Sequence, residues 1–300
     1  MAKPVLPDSM IEAALQERCG AISGFEKLAG GLDSQTYGFR HGNAGYVARI
    51  NRSRRGFCKD AFVYQRFASP TLPIPEIIGI TRLDDGHFVC ISRRAPGVRV
   101  HDLTSTELHE VMASVREVMA AIATSDLAGT TGFGRFNANG SGPHETWQAF
   151  LMSVADPQQF AWQEASGVDM ALVREAIGLL TALVGRCPER RCLVHGDFGS
   201  YNLMTDRRRI TAVIDWDRAL FGDPLYELAN LLFWREECLK QLTLALSAAA
   251  DAEPAAKERL LCYQLRIGLQ EIYESATGET SVELAWLTTR CESLLDQAWR

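Results

Sequence analysis

The stretch LVHGDFGSYNLMTDRRRITAVIDWDRALFGDPLYELANLLFW, residues 193–234, decides how the rest of the chain is read. His195, Asp197 and Asn202 stand in it at the spacing H-x-D-x-x-x-x-N, and Asp215, Trp216 and Asp217 follow the apolar run 210–214. That order suits phosphoryl transfer: one carboxylate aligns a hydroxyl and takes its proton, then an amide and a second carboxylate hold magnesium. An isolated D-x-x-x-x-N is ordinary turn chemistry in an exposed loop. With His195 beside Asp197 and a strand-closing Asp215 beyond Asn202, the catalytic reading is the stronger one. His195 itself is expected to brace the loop by hydrogen bonds, since zinc would need close His or Cys partners.

Short apolar strands, 192–194 and 210–214, flank this loop. Upstream, 105–124 carries Leu108, Val111, Met112, Val115, Val118, Met119 and Ile122 at helical spacing, the stripe of a core-facing helix. Further helices are expected over 147–155, 170–184, 226–234, 239–250, 257–275 and 281–299. The first third reads differently. A helix capped by Asp8 or Ser9 runs to about Cys19, with Gly20 past its end. Strand-like runs 37–40 and 46–50 are joined by the turn residues 41–45, with Gly30 and Gly31 before them. Two strands and a glycine pair suit a flap over phosphates, although a plain turn is the commoner reason for two glycines. A helix over 60–68, an extended segment after Pro73 and Pro75, and a strand at 87–92 complete this part. The fold class is therefore α+β: a small β-rich lobe over 1–94 and a larger, mainly helical lobe over 95–300.

Composition narrows the function. Nearly half of the 300 residues are apolar and 23% are charged, as in a soluble globular protein. The N-terminal residues lack the apolar core of a signal peptide, and no apolar run reaches membrane-spanning length. The eight cysteines form no C-x-x-C pair and are expected to be reduced packing residues in a cytoplasmic protein. A net charge of −6 speaks against nucleic acid as a partner and is compatible with a cationic small molecule.

HGDFGSYN with VIDWDRALFGDP resembles the aminoglycoside phosphotransferase family, whose fold is that of the eukaryotic protein kinases. FASPTLPIPE, CISRRAPGV, TGFGRF, YELANLLFWR and LRIGLQEIY extend the likeness from about residue 20 to 275. The resemblance implies a bilobal, protein-kinase-like enzyme with Asp197 as catalytic base and Asn202 and Asp215 as magnesium ligands. It also implies that Gly30, Gly31 and Ser34 cover the phosphates of ATP (or GTP), and that the backbone of the connector Arg93-Arg94-Ala95 holds adenine. The family places a strand lysine on the phosphates, paired with a helix glutamate. Here Arg49 and Asp60 stand at those places, with Lys59 as rival for the cation. A longer cation with a shorter acid keeps the same span, so a reciprocal exchange is expected.

The implied acceptor is an aminoglycoside, whose ammonium groups and sugar faces call for carboxylates and indoles. Tyr201, Asp217, Glu227, Trp234, Glu236 and Glu237 are the candidates, although a core place for Trp234 and a solvated helix start for Glu236 and Glu237 are the commoner readings of such residues. A monomer is expected. The alternatives are a kinase of the same fold for another hydroxylated acceptor (choline, homoserine, a macrolide or a sugar) and a nucleotide-binding pseudokinase.

Overall fold

The computed structural model describes residues 5–28, 34–84 and 86–298. Gly30 and Gly31 lie outside the described residues. In the first third, Ser23–Lys27 (β1), Gln35–His41 (β2), Ala44–Asn51 (β3), Ile77–Arg82 (β4) and Phe88–Arg93 (β5) form one antiparallel sheet in the order β1-β2-β3-β5-β4. Tyr37 and Phe39, alternate residues of β2, point to one face and pack with Ala48 and Ile50 of β3. Against them lie Ile11 and Leu15 of α1 (Asp8–Cys19). Neither Asp8 nor Ser9 caps this helix: Pro7 occupies the cap position, and the Asp8 carboxylate accepts the Tyr37 hydroxyl at 2.6 Å.

The helix expected at 60–68 begins earlier, as α2 (Arg55–Phe67), so that Lys59 and Asp60 sit in its interior and are buried. It meets the five-stranded sheet at β4 and through Arg49 of β3, but its apolar face is only partly given to that sheet. Val63 and Phe67 instead join Val111, Val115, Leu193, Phe198 and Trp216 in a core belonging to the C-terminal part.

Beyond β5 the chain is mainly helical. β6 (Val98–Arg99) leads to α3 (Ser105–Ala123), whose start is set by a reciprocal cap: Glu107 accepts the Thr104 N–H at 2.9 Å, and the Thr104 hydroxyl accepts the Glu107 N–H. β7 (Gly134–Arg135), α4 (Trp147–Met152) and α5 (Met170–Leu183) follow, then β8 (Cys192–Val194), β9 (Leu203–Thr205), β10 (Ile210–Val213) and β11 (Leu220–Gly222). The last helices are α6 (Leu225–Trp234), α7 (Lys240–Ala250), α8 (Ala256–Ala276) and α9 (Leu284–Ala298). The short strands form two small sheets, β10-β9-β6 and β7-β11-β8, which hold the 195–202 loop between β8 and β9.

α6 and α8 are buried along most of their length, in a core with Trp147, Phe150, Tyr226, Phe233 and Tyr263. A fully buried Asp223 holds this region together. Its carboxylate accepts Arg259 Nη2 at 2.6 Å and the Tyr263 hydroxyl at 2.7 Å. Such a pair persists in a dry interior only because each lone pair and proton has a partner. All eight cysteines are free, and no helix among the described residues is long and apolar enough to cross a membrane.

Candidate active site

The 195–202 loop is held from below by α6. Glu227 is 4% exposed, and its Oε2 accepts the His195 N–H at 2.7 Å and the Gly196 N–H at 3.2 Å. Two residues past the end of α6, Glu236 Oε2 accepts the Ser200 N–H at 2.8 Å. Gly199 makes that approach possible, because a Cβ there would stand 2.6 Å from Glu236 Oε1. The structure thus gives Glu227 a place beneath the loop in addition to the acceptor role expected of it: Oε2 is committed to the loop backbone, while Oε1 is buried and takes no hydrogen bond. Burial pushes Glu227 up to about 7, and the amide donors oppose the shift.

His195 is fully buried, with Nε2 at 3.1 Å from the Ile214 carbonyl and Nδ1 accepting the Asp197 N–H at 3.3 Å. Burial pushes the imidazole down to about 4, so it is neutral, donating from Nε2 and accepting at Nδ1. It is a brace, as expected from the sequence. Gly196 beside it takes φ +75°, and a Cβ would come 2.5 Å from the Arg218 carbonyl.

On this frame Asn202 turns its Nδ2 onto Asp197, donating to Oδ2 and to the backbone oxygen at 2.9 Å each. The planar amide then presents Oδ1 on its other edge. The Ile214 N–H bonds the Asn202 carbonyl at 3.0 Å, which carries Asp215 alongside. Asp215 takes a left-handed φ of 65°, uncommon for a non-glycine residue, and stands open to the cleft. The protein enclosing the cleft pushes Asp197 up to about 7, Arg218 opposing and Asp215 adding to the rise. Enclosure raises Asp215 to about 6, with the Asp60 charge adding and Arg49 opposing. The structure thus brings Asp197, Asn202 and Asp215 together. An amide oxygen and a carboxylate are a donor set for a hard cation such as magnesium. Among the described residues no three His, Cys, Asp or Glu side chains form a metal cluster.

Arg49 and Asp60 form a direct ion pair between β3 and α2, and the other Asp60 oxygen accepts the Trp216 N–H at 3.0 Å. Lys59 takes no part in it. Its buried ammonium donates to the Asp217 and Ala219 carbonyls at 2.6 Å each and lies over the Phe136 ring. Burial pushes Lys59 down to about 7, against the pull of Asp217. Ser34 accepts the Asn51 side-chain amide at 3.3 Å, where β2 begins and β3 ends. The Arg93 N–H is committed to the Glu76 carbonyl at 2.8 Å and the Arg94 N–H to the Gly45 carbonyl at 3.0 Å. Those two amides are therefore taken, which leaves the connector's carbonyls and the Ala95 N–H for the backbone contact expected of it. Ala95 follows, half-buried, where the chain leaves the sheet.

The expected acceptor residues do not form one cluster. Asp217 is exposed and turned to the first turn of α2, where a Cβ on Gly56 would meet its Oδ1 at 3.2 Å. Tyr201 is half-exposed, its ring stacked on His101 with centroids 3.7 Å apart and its hydroxyl 2.6 Å from His101 Nε2. Trp234 is partly covered by a parallel stack with Trp286. Glu237 is 82% exposed and pairs with Lys240 at 3.0 Å, a solvated helix start. Sequence reading missed Arg218, which contacts Glu271 and Glu274 (2.6 Å), while Arg135 reaches Glu274 at 3.1 Å. Its place directly after Asp217 in the motif was the available signal.

Residues 24–260 match the phosphotransferase enzyme family. The hygromycin-B 4-O-kinase of Escherichia coli is 42% identical over 298 residues, 98% of this chain and 87% of that protein. A solved structure of a thermostable mutant of aminoglycoside phosphotransferase APH(4)-Ia, in ternary complex with AMP-PNP and hygromycin B, superposes with a TM-score of 0.90 at 43% identity, covering 96% of this chain and 98% of that one. The GDP complex of aminoglycoside 2'-phosphotransferase-IIIa, 14% identical, shares the fold with a TM-score of 0.67 over 98% and 100% of the two chains. A β-sheet-rich N-terminal part and a helical C-terminal part, joined over a cleft, are the kinase-like architecture of these enzymes. By sequence and by fold the chain belongs to the phosphotransferase enzyme family.

Proposed function

We infer that this protein transfers the γ-phosphoryl group of ATP to a hydroxyl of hygromycin B, and so confers resistance to that aminoglycoside. The observation that carries the chemistry is the meeting of Asp197, Asn202 and Asp215 at one cleft, beneath the Arg49–Asp60 pair. The acceptor is supported by the Escherichia coli relative and by the hygromycin B complex of the similar structure.

Asp197 aligns the acceptor hydroxyl and receives its proton, and burial makes the carboxylate a better base than a solvated one. The Asn202 amide keeps Asp197 oriented from one side and offers its oxygen to the metal on the other. Asn202 and Asp215 would hold magnesium, which neutralises phosphate charge when bound. Arg49, fixed by Asp60, meets the triphosphate as a planar fork. The carbonyls and the Ala95 amide of the connector hold adenine between a nucleotide-binding lobe, 1–94, and a catalytic lobe, 95–300. The enzyme acts as a cytoplasmic monomer.

The test is direct. Purified protein with ATP, magnesium and hygromycin B should yield ADP and an antibiotic heavier by one phosphoryl group. A panel of other aminoglycosides, choline, homoserine, macrolides and sugars run beside it should turn over more slowly. A better substrate in the panel would move the assignment to that acceptor; nucleotide binding without acceptor-dependent ADP would make this a pseudokinase.

A further inference from the structure

Directly after Asp215 the chain makes a tight turn whose backbone is held from one helix. Asp215 itself takes a left-handed φ of 65°, a conformation that a non-glycine residue keeps only where its surroundings enforce it. The turn that follows is closed by the Ala219 N–H on the Trp216 carbonyl at 2.9 Å. Trp216 is buried beneath it and donates its indole N–H to the Val213 carbonyl at 3.1 Å. On one side of Asp215, the Ile214 N–H is anchored on the Asn202 carbonyl at 3.0 Å. On the other, the Trp216 N–H is anchored on Asp60 of α2 at 3.0 Å. Asp215 is thus the joint between two fixed peptides.

The same helix also holds the far end of the turn. Lys59, next to Asp60, gives its ammonium to the Asp217 and Ala219 carbonyls at 2.6 Å each, with the Phe136 ring 4.5 Å away. At 3% exposure and with those two bonds made, it is not free to meet a phosphate. A lysine offers three donors and no acceptor, which suits a pair of inward-turned backbone oxygens. Withdrawing an ammonium from water to meet neutral oxygens is unfavourable, and a methionine would fill the same space without that penalty. The cation therefore answers a demand of the turn and not of packing. What lies beyond the turn matters as well: Leu220 of β11 pairs with Val194 of β8, the residue before His195.

We propose that Lys59 is a positioning residue for the metal site. By holding the Asp217 and Ala219 carbonyls it keeps the 216–219 turn closed, and the closed turn holds Asp215 in the conformation from which its carboxylate faces the cleft beside Asn202. Lys59 touches neither metal nor substrate and acts only through this turn. The inference rests on the reading of Asn202 and Asp215 as the metal-holding pair.

The experiment compares Lys59→Met, similar in length and without donors, with the wild type and with Val63→Ala, a core variant one turn along α2. The probe is Mn2+, its binding to the protein–AMP-PNP complex followed by electron paramagnetic resonance. Lys59→Met should weaken Mn2+ in that complex about tenfold or more and raise the magnesium needed for half-maximal turnover by a similar factor. The acceptor KM should stay within about twofold of wild type. Val63→Ala, which loses stability through a cavity, should leave Mn2+ affinity within about twofold. Lys59→Gln, whose amide keeps N–H donors, should lie between wild type and Lys59→Met. Unchanged Mn2+ affinity in folded Lys59→Met overturns the proposal, as does an equal loss in Val63→Ala, which would mark a merely structural role. Should Lys59→Met fail to fold, the same measurement on Lys59→Gln decides: a several-fold loss supports the proposal and an unaltered affinity refutes it. A wild type whose AMP-PNP complex binds no Mn2+ defeats the reading of Asn202 and Asp215 instead, and the two failures are distinct.

Discussion

Arg49 and Asp60 are bound to each other across the cleft wall, and the same Asp60 carboxylate also caps the backbone N–H of Trp216, directly after Asp215. A single acid thus sets both the cation for the phosphates and the segment carrying a metal ligand. Asp60→Ala should weaken folding by about 3 kcal/mol, since it strands a guanidinium and a buried amide together. Arg49→Lys should cost about 1–2 kcal/mol and weaken nucleotide binding, because an ammonium on a shorter reach loses the fork and loosens the pair with buried Asp60. The double exchange Arg49→Lys with Asp60→Glu should restore part of that affinity. Urea unfolding and nucleotide calorimetry measure the two effects, and additive losses in the double variant would contradict the coupling.

Asp197→Ala should reduce turnover by roughly 10²–10⁴-fold while AMP-PNP binds with near-native affinity. Asn202 would lose one of its two Asp197 partners and keep the backbone oxygen. Single-turnover assays with calorimetry separate the outcomes; retained turnover would end the assignment of this carboxylate.

The same residue shapes pH dependence. Its carboxyl is raised from 3.8 to about 7, so the folded protein holds this proton more tightly than the unfolded chain. The associated stability is present below pH 4 and lost as pH rises through about 7. Asp197→Asn should therefore melt higher than wild type at pH 8, by about 2–4 °C after allowance for solvent in the cleft, and the gain should vanish near pH 4. For the wild type, kcat/KM should fall as pH is lowered through about 7, where the base takes up its proton. Scanning calorimetry at several pH values and a pH–rate profile check both limbs.

Glu227→Ala should cost about 2–3 kcal/mol and lower kcat, with the acceptor KM little changed, since the buried amides of His195 and Gly196 lose their acceptor. Glu227→Gln, which keeps one carbonyl oxygen, should recover much of both. A selective rise in acceptor KM would give the acceptor role the greater part.

What could be read from the sequence was whatever neighbouring residues encode together. Asp197 and Asn202 are five residues apart on one loop, so their meeting is nearly a covalent fact. α3 was legible because its apolar stripe repeats every turn. The Arg49–Asp60 pair was accessible as a reciprocal exchange of sizes. The hold of Glu227 on the loop was not legible because a helix hydrophobic on most sides gives no sign of which face meets the loop. β6, β7 and β11 have two or three residues, too few to show a period. Arg218 finds its carboxylates on α8, and Trp286 its partner on α6, through packing over more than fifty residues of intervening chain. No local pattern announces such a meeting.

The adjacent buried residues Lys59 and Asp60 carry a last consequence. One grips the Asp217 and Ala219 carbonyls, the other the Trp216 amide and Arg49, while Val63 and Phe67 are embedded in the C-terminal core. A helix riveted at so many points is a poor on–off lever. Any swivel of α2 would have to break these contacts together, so regulation by displacing this helix would be expensive.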